Sequence, residues 1–271
     1  MPELPEVETI KRDLERLIVN RKILAIRTNS AKQVQPSLKI VQKAIVDAKI
    51  TKIGRRAKIL IIFLDNGKTL TVHLKLTGRL LVRKRGAPED NWQRIVIDLD
   101  NNKELRFADL RKFGWVRLIK NKKELKNLLA KFGPEPLSDL TLEKFKEILS
   151  KSGRPIKIVL MNQKKIAGIG NIYANEALFL AKINPCRPAN KITDKETKKL
   201  FQAIEKVLKT GIRYRGASDQ YYLDALGRQG AYQEHFLIYR REKKKCLECE
   251  TKIKKIKLGG RGTFFCPHCQ K

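Results

Sequence analysis

The chain has 271 residues, 42% of them apolar, enough to bury a core and to divide into two or three domains. Lys and Arg number 60 against 28 Asp and Glu, and the resulting net charge of +32 is spread along the whole length. Such a field favours a polyanion, while the lack of any apolar run near the roughly 20 residues a bilayer span needs, and of a basic then apolar leader, counts against membrane and secreted classes.

The first residues read as a helix. Val7, Ile10, Leu14, Leu17 and Ile18 recur at helical spacing over residues 6–18, and Pro5 suits a first turn, where a missing N–H costs little. Then the pattern changes. KILAIR (22–27) predicts a strand, and AKILIIFLDNGKTLTVHLKL (57–76) a hairpin turning at Asp65-Asn66-Gly67. RIVIDLDNNKELRFADL (94–110) predicts a second hairpin turning at Asp100-Asn101-Asn102, and WVRLI (115–119) a further strand. Short strands behind one helix imply an antiparallel β-sandwich. Phe132-Gly133-Pro134-Glu135-Pro136 is a breaker-rich joint. Beyond it the pattern is helical: LTLEKFKEILS (140–150), stretches from Ile156 and from Asn171, and residues 193–212. Residues 213–241 are polar, aromatic and glycine-containing, and read as a mobile loop followed by a linker.

Four of the five cysteines close the chain as Cys246-x2-Cys249-x16-Cys266-x2-Cys269. Two knuckles joined by a hairpin through residues 252–265 suit a tetrahedral Zn2+ site. Four thiolates leave no open position, so the metal is expected to be structural. His268 lies between two ligands and is not counted as one. Gly259-Gly260-Arg261-Gly262 at the hairpin tip lets backbone and one Arg approach a phosphate or a groove, although a plain tight turn would give the same residues. Cys186 stands alone and is read as a buried or incidental thiol.

The terminus, Met1-Pro2-Glu3-Leu4-Pro5-Glu6, admits two readings. Pro and Glu are ordinary first-turn residues. Alternatively, a small second residue favours removal of Met1, leaving a secondary amine at Pro2. An α-amine ionises near ~7.7–8.0, far below lysine, and the positive end of a helix lowers it further. Such an amine is a nucleophile at neutral pH. Attack on a sugar C1′ would give an iminium able to drive elimination of the attached phosphates. Glu3 and Glu6 would supply and relay protons.

PELPEVET resembles the amino terminus of the bacterial formamidopyrimidine-DNA glycosylase family. So do GRRAKILI (54–61), HLKLTGRL (73–80), DLRKFGW (109–115), LMNQKKIAGIGNIYANEAL (160–178), GRQGAYQEHFLIY (227–239) and GGRGTFFCPHC (259–269), in that family's order and across nearly the whole chain. The sister endonuclease VIII-like glycosylases open with PEGPE, and Leu4 favours the first branch. The resemblance implies an α+β multidomain fold. An N-terminal catalytic β-sandwich with flanking helices would span 1–131. A helical helix–two-turn–helix DNA-binding domain with a lesion-capping loop would span 132–241, and a C-terminal β-hairpin zinc finger 242–271.

It also implies roles. Pro2 matches the nucleophile, Glu3 the acid that assists ring opening, Glu6 a supporting acid, and Lys58 a lysine near the lesion phosphate. His73, Asn171 and Arg261 match phosphate contacts, and Lys157 a lysine that influences handling of the oxidised purine. Gly168-Ile169-Gly170-Asn171 before a helix also suits phosphate on its own chemistry, with glycines baring N–H groups and Asn171 as the cap, although a tight interhelical turn would give the same residues. Leu76, Arg111 and Phe113 match the residues that fill the vacated stack and hold the orphaned base. Many members carry Met where Leu76 stands, and Asp where Asn162 stands. About Arg215–Gln229 matches the capping loop, with Gly216, Tyr221, Tyr222 and Gly227 suited to flexible base contact.

The implied activity is base-excision repair of oxidised purines (8-oxoguanine, formamidopyrimidines) in duplex DNA. It would couple to AP lyase action by β,δ-elimination, in a cytoplasmic, nucleoid-associated monomer holding one zinc ion. Two rivals stand beside it: a catalytically inert lesion-binding or architectural protein, and a glycosylase preferring oxidised pyrimidines.

Overall fold

The computed structural model describes all 271 residues. In chain order it runs α1 (Leu4–Ile18), β1 (Ile23–Thr28), β2 (Val34–Gln35), α2 (Leu38–Ile45), β3 (Ile50–Arg56), β4 (Ile59–Leu64), β5 (Thr69–His73), β6 (Gly78–Lys84), β7 (Gln93–Leu99), β8 (Lys103–Asp109), β9 (Trp115–Ile119), α3 (Lys122–Leu129), α4 (Leu142–Ser150), α5 (Ile156–Met161), α6 (Asn171–Leu180), α7 (Asp194–Arg213), β10 (Lys254–Leu258) and β11 (Arg261–Phe265). The chain forms two compact units, Met1–Ala130 with Tyr214–Ala231, and Lys131–Arg213 with Tyr232–Lys271. No helix is long and apolar enough to cross a membrane.

The first unit holds two sheets, ordered β1-β7-β8-β6 and β2-β9-β5-β4-β3. Every pairing is antiparallel except the short β2–β9 pair. The expected hairpin turns form as read. Gly67 takes φ 77°, Asn102 takes φ 58°, and Asn66 Oδ1 accepts the Lys68 N–H at 3.1 Å. Helix α1 turns Val7, Ile10, Leu14 and Ile18 into the core, where the inward residues of both sheets meet it.

Tyr214–Ala231, read from sequence as a mobile loop, is tied into this unit. Tyr222 and Ala225 belong to the same core. Arg215 Nη2 bonds Asp13 at 2.6 Å and Asp224 at 2.5 Å, and both carboxyl side chains are fully buried. The Ala225 carbonyl accepts the Val82 N–H at 2.8 Å. Tyr222, expected among the base-contacting aromatics, is a core residue at 5% exposure.

The second unit is built on α6, whose residues Ile172–Phe179 are all buried. It packs on α5, α7 and β11. Gly211 of α7 admits α6, since a Cβ there would lie 2.5 Å from the Tyr173 hydroxyl oxygen. Glu176 is completely buried and accepts the N–H groups of Leu237, Ile238 and Tyr239 at 2.8–3.0 Å. Burial raises its pKa even against those three donors. Asn175 Oδ1 accepts the Phe264 N–H at 2.9 Å, docking the β10–β11 hairpin on the helix.

Candidate active site

Helix α1 starts immediately after Glu3, so the first turn has orphan N–H groups to satisfy. Glu3 and Glu6 meet this need as a capping box, with Glu6 Oε2 accepting the Glu3 N–H at 2.8 Å. The capping reading of the terminus therefore holds, and it fixes both carboxyl groups in the interior at 1% exposure each. Pro2 is buried beside them, while Met1 is 45% exposed. The other Glu6 oxygen accepts the Ala217 N–H at 2.8 Å. One carboxylate thus joins the chain terminus to the base of the 216–230 segment. Gly216 permits the approach: it takes φ +83°, and a Cβ there would lie 2.8 Å from Glu6 Cγ and Oε1. Burial, then the Glu6 charge, push the Tyr222 phenol well above its ordinary pKa.

The β3–β4 turn lies against the same helix. Arg55 Nε bonds Glu8 at 3.0 Å, and Arg55 Nη1 bonds the Ala57 carbonyl at 2.9 Å. Burial opposes the Glu8 carboxylate, but Arg55 and Arg12 outweigh it and hold its pKa below the usual value. Ala57 takes φ 53°, which turns the chain so that Lys58 is 7% exposed next to β4. His73 sits across from Ile59 and Trp115 in the register. Burial, then the charges of Lys75 and Lys58, push its pKa down to about 3. Its Nδ1 accepts the Lys75 N–H at 3.0 Å, so a neutral His73 carries its proton on Nε2.

Leu76 lies half-buried in the β5–β6 loop, and Arg111 and Phe113 are exposed in the β8–β9 loop. The Arg111 guanidinium stacks over the Phe113 ring, 4.8 Å from its centroid. Phe113 is 54% exposed, against the core role its aromatic ring would ordinarily suggest.

In the second unit, Lys157, Asn171 and Arg261 gather at the hairpin turn. Lys157, expected among the DNA-contacting residues, has no exposed surface. Its ammonium donates to Thr263 Oγ1 at 2.7 Å and to the Gly262 carbonyl at 3.0 Å. It therefore holds the hairpin rather than reaching solvent. Asn171 is the first residue of α6 rather than its cap, which is Gly170; its Nδ2 donates to the same carbonyl at 3.2 Å, and the neighbouring Arg261 is exposed.

The four terminal cysteines present their sulfurs within 4.8 Å of one another. A tetrahedral zinc ion with bonds of about 2.3 Å places its sulfurs about 3.8 Å apart. Cys246–Cys269 at 3.9 Å and Cys249–Cys266 at 3.5 Å fit that edge. Backbone N–H groups of Glu248 and Cys269 point at Cys246 and Cys266 sulfurs at 3.4 Å, as donors to thiolates. Cys246, Cys249, Cys266 and Cys269 form a closed zinc site. His268 is exposed and lies outside the ligand set, as does Cys186, which is exposed rather than buried.

Sequence reading missed the groups that connect these parts over long separations: Asp13 and Asp224 around Arg215, Glu176 beneath the linker, and Asp109 with Gln33 beside the Arg111 loop. The available signals were weak, namely an acidic residue on the apolar side of a helix (Asp13, Glu176) and one ending a strand (Asp109).

Three family models match: the formamidopyrimidine-DNA glycosylase N-terminal domain over residues 1–116, that family's H2TH domain over 132–222, and the zinc finger found in FPG and IleRS over 243–271. The formamidopyrimidine-DNA glycosylase of Herpetosiphon aurantiacus is 43% identical over the full length of both chains. That of Chloroflexus aurantiacus is 43% identical over the whole of this chain and 98% of its own. Among solved structures, the Lactococcus lactis Fpg in complex with DNA containing an abasic site superposes with a TM-score of 0.94 at 36% identity, covering 99% of each chain. A variant of that protein bound to Fapy-dG DNA also gives 0.94 at 36% identity, over all of both chains. With full-length relatives at this identity and family models spanning all three segments, the chain belongs to the formamidopyrimidine-DNA glycosylase family.

Proposed function

We propose that this chain excises oxidised purines, 8-oxoguanine and formamidopyrimidines, from duplex DNA and then cleaves the strand as an AP lyase. The observation that carries the reading is the buried Pro2-Glu3 terminus. Glu6 frames it on one side, the Lys58 turn lies against the same helix, and the chain belongs to a family of DNA glycosylases. Once Met1 is removed, the Pro2 amine attacks C1′ and the base leaves. Glu3 protonates the ring oxygen, which opens the sugar to a cationic iminium. Loss of the C2′ proton expels the 3′-phosphate, and a second elimination expels the 5′-phosphate. Water hydrolyses the iminium and frees Pro2. Glu6 holds the geometry, and Lys58 and the Nε2–H of neutral His73 hold phosphate oxygens.

Leu76, Arg111 and Phe113 fill the stack as the damaged nucleotide leaves. Arg261 and Asn171 bind phosphate, and Lys157 acts through the hairpin turn it anchors. Segments 1–131, 132–241 and 242–271 divide the work as catalytic sandwich, helical DNA-binding element and zinc finger, with residues 214–231 of the second packed into the sandwich unit, in a monomer acting in the cytoplasm. Substrate breadth extends to oxidised pyrimidines in this reading, because the Lactococcus lactis Fpg has been solved with DNA containing one.

A duplex panel tests the proposal: 8-oxoguanine, formamidopyrimidine, oxidised pyrimidine, abasic and undamaged. The expected result is fastest excision of the purine lesions, leaving a gap with phosphate on both ends. Binding to every lesion with no cleavage of any, the abasic duplex included, would assign the chain to the non-catalytic rival.

A further inference from the structure

Asp109 ends β8 and is fully buried. Its Oδ1 accepts the Thr77 hydroxyl at 2.5 Å and the Arg111 N–H at 3.2 Å. Its Oδ2 accepts the Gly114 N–H at 2.8 Å and the Gln33 amide at 3.2 Å. The Gln33 amide also donates to the Gly114 carbonyl at 3.0 Å, and Thr77 Oγ1 accepts the Arg111 N–H at 3.1 Å. The Asp109 carbonyl accepts Arg94 Nε at 3.2 Å. One side chain therefore holds both ends of the loop that displays Arg111 and Phe113. Through Thr77 it also holds the loop that displays Leu76. Gly114 closes this packing, because a Cβ there would lie 2.6 Å from Phe107 Cζ and 2.8 Å from the His73 carbonyl.

We propose that Asp109, with Thr77, is the positioning residue of a preformed wedge, locking Leu76, Arg111 and Phe113 in one register before DNA arrives. The inference rests on the reading of those three side chains as void fillers. A wedge that enters a base stack has to keep its shape against the closing stack, and a loop without such a tether must be ordered at the moment of insertion. A buried carboxylate accepting N–H and O–H donors from two loops removes that cost. Asp109 acts at eviction of the damaged base, not at C1′. An abasic site has no base to evict and depends on it less.

Asp109→Asn and Thr77→Val test this beside Arg111→Ala and Phe113→Ala. Four quantities are read: single-turnover excision of 8-oxoguanine opposite cytosine, the same opposite adenine, cleavage of a preformed abasic site, and the fluorescence of 2-aminopurine placed beside the lesion. Misplacement of a wedge by about 1 Å predicts an excision loss of roughly 10- to 100-fold for Asp109→Asn and Thr77→Val, with abasic cleavage within about threefold. The cytosine-over-adenine ratio falls toward that of Arg111→Ala, and the 2-aminopurine signal of stack opening is diminished. Thr77→Val keeps the side-chain shape and carries the test alone if Asp109→Asn does not fold. Normal excision and discrimination in folded Thr77→Val, or parallel loss of excision and abasic cleavage, would overturn the proposal. Unchanged excision and discrimination in Arg111→Ala and Phe113→Ala would instead remove the void-filling reading beneath it.

Discussion

Glu6→Gln is a demanding perturbation because the side chain changes by one atom and keeps its volume. Glu6 is 1% exposed and accepts two backbone N–H groups at 2.8 Å, from Glu3 on one oxygen and from Ala217 on the other. A glutamine keeps one acceptor oxygen and turns an NH2 toward the second donor. One charge-assisted hydrogen bond is lost, about 1.5–3 kcal/mol, and a buried donor faces a donor. For a unit of roughly 150 residues each kcal/mol moves the midpoint by about 2–4 °C, so Tm should fall by about 3–12 °C. Thermal unfolding followed by circular dichroism reads this directly. Limited proteolysis should show faster cleavage near Ala217, since that is the end released when the amide oxygen stays with Glu3. A midpoint within about 1 °C of the parent, with unchanged proteolysis, would refute the claim that this carboxylate ties the terminus to the loop base.

Other outcomes follow from the same geometry. The folded pKa of His73 is depressed to about 3, so its neutral form contributes stability that is present above 6.5 and is lost as pH falls below it. Between pH 6.5 and about 5, where most carboxylates stay ionised, the parent should lose more midpoint than His73→Gln; equal losses would contradict the assignment. Mass spectrometry under native conditions should find one zinc per chain, and chelation should abolish tight DNA binding; a zinc-free protein that binds normally would contradict a structural role. Lys157→Met removes both hydrogen bonds to the hairpin turn. It should weaken binding to damaged and undamaged duplex alike, and an unaltered affinity would show that the turn needs no anchor.

The parts of this architecture that were legible in sequence are those encoded over short spans. A short apolar run ending in Asp-Asn-Gly marked β4–β5, the apolar stripe marked α1, and the cysteine spacing marked the metal site. Helix α2 was missed because it is short and lysine-bearing, burying only Val41, Ala44 and Ile45. Strand β3 was missed because a register shift between Ile50 and Lys52 breaks its alternation. Helix α3 has no buried residue, so only its Asn121 cap marks it. The 214–231 segment shows the larger limit. Its order comes from Arg215 meeting Asp13, 202 residues away, and from Tyr222 entering a core built by other elements. The site followed the same division. Glu3 and Glu6 form a local box, and the resemblance supplied roles for residues such as Arg111. The Asp109 tether and the burial of Lys157 are tertiary facts with no local pattern.

Whether Pro2 is the nucleophile is decided by borohydride trapping on an 8-oxoguanine:cytosine duplex, with untagged protein and Pro2→Gly made in parallel. A covalent protein–DNA adduct that maps to the Pro2 nitrogen is the expected result. Tight binding with no adduct and no cleavage, on the lesion and on an abasic duplex alike, would contradict it, as would an adduct mapped to a lysine such as Lys58.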